Sequence, residues 1–222
     1  MKKFSFLDAA ALIIWSLPVF YLFFNYAALA QVVPVHFGLN GDVDRYGSKT
    51  EFLTYQCIML VVPALLYLLF KFLPLIDPKK KIKYGTDTFK KLGMGLIIFF
   101  TALNTALIFA TIHQGFRVER LLFPLVGLLF AFIGNIMLSI KPNYFAGIRT
   151  PWTLESEDNW RATHRLAGRL WFAGGIVITI LTLLISGQAG FIMFMSCVGI
   201  LVLIPVVYSY LYFKKSRLNH HV

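Results

Sequence analysis

The run LGMGLIIFFTALNTALIFATI, residues 92–112, contains no Asp, Glu, Lys or Arg. A helix needs about 20 such residues to cross the hydrocarbon core of a membrane. Backbone polar groups in lipid have to be hydrogen-bonded within their own segment, so the run predicts a membrane-spanning α-helix. It decides the fold class, because the rest of the chain repeats the pattern.

Five further runs of this kind predict an all-α membrane protein with six transmembrane helices. They lie at about 9–30, 52–70, 121–140, 170–187 and 190–213. Each run is continuously apolar, whereas the strands of an outer-membrane barrel alternate between apolar and polar residues. The first run exceeds the roughly 7–15 residues of a signal-peptide core, so we expect a retained helix, with a cleaved signal as the alternative. With 58% hydrophobic and 14% charged residues, the chain has too few polar residues for a soluble surface.

Lys and Arg are unequally divided between the two ends of these helices, 17 at one end and 4 at the other. The positive-inside rule predicts that the richer end, with both termini, lies in the cytoplasm. The net charge of +11 then reflects topology and contact with anionic membrane lipids, and no direct nucleic-acid binding is needed to explain it. The run KKKIK at 79–83 is expected to be such a lipid anchor.

The runs divide the chain into three parts. Residues 1–75 form an N-terminal two-span unit, 76–91 a basic cytoplasmic loop, and 92–222 a four-span region. The extracellular loop at 31–51 contains alternating apolar residues followed by Asn40-Gly41, a strong signal for a hairpin turn. We expect a hairpin-like lid that either only covers the helix ends or contacts a ligand. The candidate contacts are His36, Asp42 and Asp44.

The apolar runs contain no ionisable residue, which argues against an ion-coupled transporter. Asn25, Asn104 and Asn135 are polar residues at depth and predict interhelical hydrogen bonds rather than a solute path. Cys57 and Cys197 lie in apolar runs without metal-binding spacing. There is no motif for a nucleophile with its base, nor for a catalytic metal, so we expect neither an enzyme nor a cofactor.

The second unusual connection is KPNYFAGIRTPWTLESEDNWRATHRLAGRLW, residues 141–171. Asn143 and Gly147 predict tight turns, and Thr153 or Ser156 is expected to cap a cytoplasmic amphipathic helix before the fifth span. Three arginines recur every four residues on that helix, and Trp160 and His164 lie on a neighbouring face. An interfacial helix with Trp152 and Trp160 at headgroup level is the simplest explanation.

That explanation leaves the turn before the helix unexplained. Arg149 is its only strong cation, and Arg is suited to bidentate binding of a carboxylate or phosphate. We therefore expect a cytoplasmic polar site for a ligand or partner, with Thr153 among the side chains that converge on it. Its candidate residues are Asn143, Gly147, Arg149, Thr150, Trp152, Trp160 and His164.

Segment 141–171 resembles the defining segment of the SdpI family of bacterial immunity proteins. The stretch VPVHFGLNGDVDRYGSK, residues 33–49, resembles the domain of unknown function often found upstream of it. The resemblance implies immunity to a secreted, membrane-active toxic peptide (SdpC-like). It also implies signal transduction in which the occupied protein recruits a cytoplasmic transcriptional repressor to the membrane. The alternative is a lipid- or peptide-handling transporter or enzyme that uses an anion pocket around Arg149, and a third reading is that the motif only builds the fold.

Overall fold

The computed structural model describes residues 4–38, 41–76, 86–113 and 115–219. It is mostly helical, with six long helices and one short one. The long helices are α1 (Phe6–Asn25), α2 (Lys49–Ile76), α3 (Thr86–Ile112), α4 (Glu119–Met137), α6 (Glu157–Leu184) and α7 (Gly187–Asn219), and α5 (Pro151–Glu155) is short. Six helices are long and apolar enough to cross a membrane, as the sequence predicts. The proposed lipid anchor at 79–83 and Asn40 of the predicted turn lie outside the described residues.

The long helices pass back and forth, so the bundle has two ends. The motif end contains residues 138–156, and the hairpin end contains residues 29–48. At the motif end, Lys71 near the end of α2 contacts Asp8 near the start of α1 at 2.8 Å. At the same end, Thr88 near the start of α3 donates to the carbonyl of Ser139, just after α4, at 3.3 Å.

A two-stranded antiparallel ribbon lies at the hairpin end. Strand β1 (Val32–Phe37) pairs with β2 (Val43–Ser48), with irregular register on both sides of His36. Val33 is buried and packs with Leu29, Phe52 of α2 and Ile108 of α3. This contact supports a ribbon that would be marginal in isolation.

Helices α4 and α6 form the tightest contact in the bundle. A Cβ added at Gly175 of α6 would lie 2.4 Å from the amide nitrogen of Ala131 and 2.5 Å from the carbonyl oxygen of Gly127, both on α4. The two backbones therefore touch, which only small residues permit. This pair anchors the connection between the two helices, where the candidate site lies.

The predicted interhelical bonds of the three asparagines are not found. Asn25 donates within its own helix, to the carbonyl of Tyr21, and Asn135 is exposed. Asn104 is buried, and neither of its amide atoms has a hydrogen-bond partner among the described residues. Indole groups bridge the helices instead, because a Trp side chain is long enough to reach a carbonyl that an asparagine cannot. Trp15 donates to the carbonyl of Leu60 at 2.8 Å and Trp171 to that of Leu201 at 2.7 Å.

Ionisable residues also enter the helices at both ends of the bundle. Asp8 and Lys71 each lie one residue outside the apolar runs, but the helices include both, and the half-buried Lys71 pairs with the buried Asp8. At the hairpin end, Arg117 contacts the buried Glu119 at 2.9 Å and Asp42 of the ribbon at 3.9 Å. This cluster links the ribbon to the start of α4.

Candidate functional site

The turn that follows α4 is organised by one amide side chain. The Oδ1 atom of Asn143 accepts from the backbone N–H groups of Phe145 and Ala146, at 2.7 and 2.8 Å. Its Nδ2 atom donates to the carbonyls of Lys141 and Ala146, at 2.8 and 3.0 Å. Asn143 is buried. Its side chain acts both as donor and as acceptor, and it replaces backbone hydrogen bonds that the turn lacks.

His164 and Trp160 hold the next turn against α6. Nδ1 of His164 lies 2.8 Å from the carbonyl oxygen of Trp160, and the backbone N–H of Ile148 donates to Nε2 at 3.2 Å. These partners assign the neutral Nδ1–H tautomer. The two rings stack with centroids 4.1 Å apart, and the indole of Trp160 donates to the carbonyl of Ile140 at 2.8 Å.

Gly147 covers this pair of rings. Its φ of +115° lies in the region that side chains rarely adopt. An added Cβ would lie 2.5 Å from Nε2 of His164 and 3.1 Å from the ring of Trp160. The glycine is therefore required both by the turn and by the close approach of the backbone to the imidazole.

A second group of polar residues ties the motif to α7. Thr150 and Thr153 form a reciprocal cap at the start of α5. The indole of Trp152 donates to Oγ of Ser209 at 2.5 Å, and Asn159 donates to the carbonyl of Ser209 at 2.9 Å. Ser209 is fully buried although it lies near the end of α7. Hydrogen bonds to Ser209 and to each other thus fix four residues of the motif, which are Thr150, Trp152, Thr153 and Asn159.

Arg149 lies apart from these two groups. It is exposed, and its guanidinium donates to the carbonyl of Tyr144. The cations that line a cavity of about 380 Å³ at this end are Lys141, Arg161 and Arg165, beside Trp160 and His164. Six of the seven candidate residues therefore lie together in a turn held by hydrogen bonds and ring contacts. The seventh, Arg149, lies on the surface of this turn.

One expectation about this segment is corrected, and one choice between two residues is decided. Residues 157–169 are the first turns of the continuous α6, which runs directly into the fifth span and which Ser156 caps. Trp160 is 1% exposed and packs against Leu73, Phe89 and Met137, so it is not a belt residue in the headgroup region. Thr153 completes the cap of α5 instead of starting α6.

The three candidate residues at the hairpin end lie in a different setting. Nδ1 of His36 and Oδ1 of Asp44 are 2.6 Å apart across the ribbon, and their side chains are 64% and 49% exposed. Asp42 points towards Arg117. Arg45 contacts Glu51 at 2.5 Å and Tyr55 at 2.8 Å, and the hydrogen bond to Glu51 is the main reason that the pKa of Arg45 is raised. The ribbon therefore presents polar side chains of both signs to solvent.

Several residues of these networks are not marked by the sequence pattern. Ser209 lies in an apolar run, and Glu119 and Arg117 border another. The four-residue spacing of Asn159 and Thr163 could have predicted a contact on one face of α6. In the structure Thr163 donates to the Asn159 side chain at 2.9 Å. Within the described residues, no three His, Cys, Asp or Glu side chains are placed to hold a metal ion.

Comparison with known proteins identifies two matching segments. The model of the SdpI/YfhL protein family matches residues 139–209, and that of a domain of unknown function, DUF1648, matches residues 13–60. Two curated relatives are similar to this chain. "Immunity protein SdpI" of Bacillus subtilis (strain 168) is 27% identical over 123 residues, which cover 55% of this chain and 58% of that protein. An uncharacterized protein of Archaeoglobus fulgidus is 32% identical over 62 residues, 28% of this chain and 32% of that protein.

The chain thus spans less than two thirds of the length of either relative. No solved structure gives a significant match. The matches confirm the resemblance to the SdpI family that segment 141–171 carries. Together with the six apolar helices, they indicate a multi-pass protein of the bacterial plasma membrane.

Proposed function

We propose, from the SdpI-family match of residues 139–209, that this protein is a non-enzymatic immunity protein that protects the cell against a secreted, membrane-active toxic peptide. The observation that carries the proposal is the similarity to a protein named for immunity over more than half of this chain. The hairpin end is the extracellular side in this proposal, because most of the Lys and Arg among the described residues lie at the other end of the bundle. The toxic peptide arrives from that side.

The ribbon is the proposed contact for the peptide. His36 and Asp44 are exposed there, and Asp42 lies beside them. The toxic peptide has to contact an immunity protein from outside without opening the helix bundle. Exposed side chains on a supported ribbon meet that requirement. The carboxylates favour a peptide that carries positive charge.

Signal transduction is the second part of the proposal, with the motif end as its cytoplasmic surface. Arg161, Arg165 and Arg169 are exposed along one side of α6. Arg161 is paired with Glu157 at 2.6 Å, and this exposed pair is weak enough to exchange for an acidic partner. A cytoplasmic repressor with an acidic surface would bind here, next to Arg149.

Killing of sensitive cells by a purified SdpC-like toxic peptide tests this function. The cells would express wild type, the double variant Asp42→Asn/Asp44→Asn, or Arg149→Ala, at matched membrane levels. We expect wild type to protect, the double variant to lose protection, and Arg149→Ala to retain it, because Arg149 lies at the other end of the molecule. Absence of protection by wild type at full membrane abundance would overturn the proposal.

The second candidate function is lipid or peptide handling through an anion pocket, and one observation favours it. The cavity lined by Lys141, Arg161 and Arg165 is open, polar and basic. The anion pocket would then be formed by these cations, and Arg149 does not line it. This function predicts that Arg165→Ala, and not Arg149→Ala, reduces the amount of phosphate-bearing ligand that copurifies.

A further inference from the structure

A long apolar groove lies between α3 and α4. Its volume is about 590 Å³, and most of its lining is aliphatic or aromatic. On α3 its lining extends from Asp87 to Ala102, a distance of roughly 22 Å at 1.5 Å per residue. Half of a typical bilayer, with its headgroup region included, measures about 20–22 Å. The groove therefore has the length of one membrane leaflet.

The two helices leave this groove because they do not pack along their whole length. Helix α4 makes its backbone contact with α6, on the side where small residues face each other. On the other side Leu125, Leu128 and Leu129 form one wall of the groove, and Ile98 and Ala102 of α3 form the opposite wall. Leu128 and Ile98 are 53% and 50% exposed, so the groove opens towards the surrounding lipid.

Charged residues lie only at the motif end of the groove lining. They are Asp87, Lys90 and Lys91, which gives a net charge of +1. Lys90 contacts Asp87 at 3.0 Å, but Asp87 is 84% exposed, and a pair of this kind contributes little. Among the described residues, Lys91 has no carboxylate partner. Both ammonium groups lie one turn into α3, at the depth where lysine side chains extend towards lipid phosphates.

The start of α1 completes the groove. Leu7 lines it, and the neighbouring Asp8 is fixed by Lys71 at 2.8 Å and by Tyr67 at 2.9 Å. The other oxygen of Asp8 accepts from Ser5, so the carboxylate is fully engaged within the protein. Asp8 therefore positions Leu7 on the groove wall, and headgroup recognition is left to the two lysines.

We propose that the α3–α4 groove binds one anionic phospholipid from the leaflet at the motif end. One acyl chain lies in the groove, and the phosphodiester contacts Lys90 and Lys91. The single net positive charge at the mouth complements the single negative charge of a phosphatidylglycerol. This site is separate from segment 141–171 and from the ribbon, so it stands independently of the immunity function.

Native mass spectrometry of the delipidated full-length protein tests the site. Phosphatidylglycerol and phosphatidylcholine with identical chains would be titrated in turn. We expect one phosphatidylglycerol to bind wild type roughly twenty-five-fold more tightly than phosphatidylcholine, and Lys90→Gln/Lys91→Gln to remove this preference, at roughly fivefold per lysine. Leu128→Trp is expected to weaken both lipids by filling the groove.

Two matched variants control for general effects. Leu203→Trp introduces the same bulk at a residue of α7 that is 62% exposed, and Lys215→Gln removes an exposed cation of α7. Neither residue lines the groove, so we expect wild-type binding from both. Equal binding of the two phospholipids by wild type would overturn the proposal, because lipid that merely surrounds the bundle has no such preference. If the control variants lost lipid binding as much as the groove variants, the proposal would be overturned as well.

Discussion

The two ends of the bundle use polar residues in opposite ways. At the motif end Asn143, His164 and Ser209 are buried, and their hydrogen-bonding atoms contact other parts of the protein. At the hairpin end His36 and Asp44 are exposed and contact each other across a two-stranded ribbon. The motif thus uses these buried polar residues within the protein, whereas the loop exposes His36 and Asp44 to solvent.

This difference indicates why a conspicuous motif need not be a binding pocket. A buried polar atom without a partner costs about 1–3 kcal/mol, so an irregular connection packed between helices needs residues that satisfy it. Between α4 and α6, this requirement is met by the Asn, Gly, Thr, Trp and His residues of the motif, at fixed spacing. We infer that segment 141–171 chiefly holds three helices together, and that ligand contact falls to exposed residues.

The largest expected effect that tests this difference is that of Gly147→Ala. The change forces alanine into a positive φ and places its Cβ against His164 and Trp160. Strain and overpacking together should lower the free energy of unfolding by about 3 kcal/mol. Denaturant-induced unfolding in mixed micelles would measure it.

Gly199→Ala is the matched control for that change. Gly199 lies inside α7 and has nothing within 4 Å of an added Cβ. Alanine should be neutral or more stable there, by up to about 1 kcal/mol. Equal stability of the two variants would show that the turn at Gly147 is not constrained by the rings beneath it.

Asn143→Asp is expected to have the next largest effect. The carboxylate keeps both acceptor contacts but loses both donor contacts, and it faces the carbonyls of Lys141 and Ala146. We expect a loss of about 2 kcal/mol, measured by the same unfolding experiment. If Asn143→Asp were as stable as wild type, the amide would not organise the turn, and Asn143 would again be a candidate for ligand binding.

The sequence predicts the spans well and the motif end less well, for physical reasons. Continuous apolar runs determine six helices, because lipid permits little else. Turn formers at Asn143 and Gly147 predict the tight connection. Hydropathy does not predict which carbonyl accepts a given indole proton, since Trp160 reaches Ile140 and Trp171 reaches Leu201 only after the helices have packed.

Hydropathy does not predict the pairing of charged residues near helix ends, for a related reason. Asp8 and Lys71 lie just beyond their apolar runs, where a residue-by-residue rule assigns them to water. In the fold both lie inside helices that pack together, and each supplies the partner that the other needs. Likewise, Arg149 is prominent as the only strong cation in its turn, but the basic cavity at this end is lined by cations from α6 and from the end of the preceding span.

The smallest expected effect on stability is that of Asp44→Asn at the hairpin end. It changes an exposed contact with His36, so the free energy of unfolding should change by about 0.5 kcal/mol or less. Protection against the toxic peptide should nevertheless decrease, since the variant removes a carboxylate from the proposed contact surface. Unfolding in micelles and cell killing would be measured on the same variant, with Asp87→Asn, an exposed carboxylate at the other end, as the control. A loss of stability as large as that of Asn143→Asp would show that the hairpin end is also a structural network, and the distinction between the two ends would not hold.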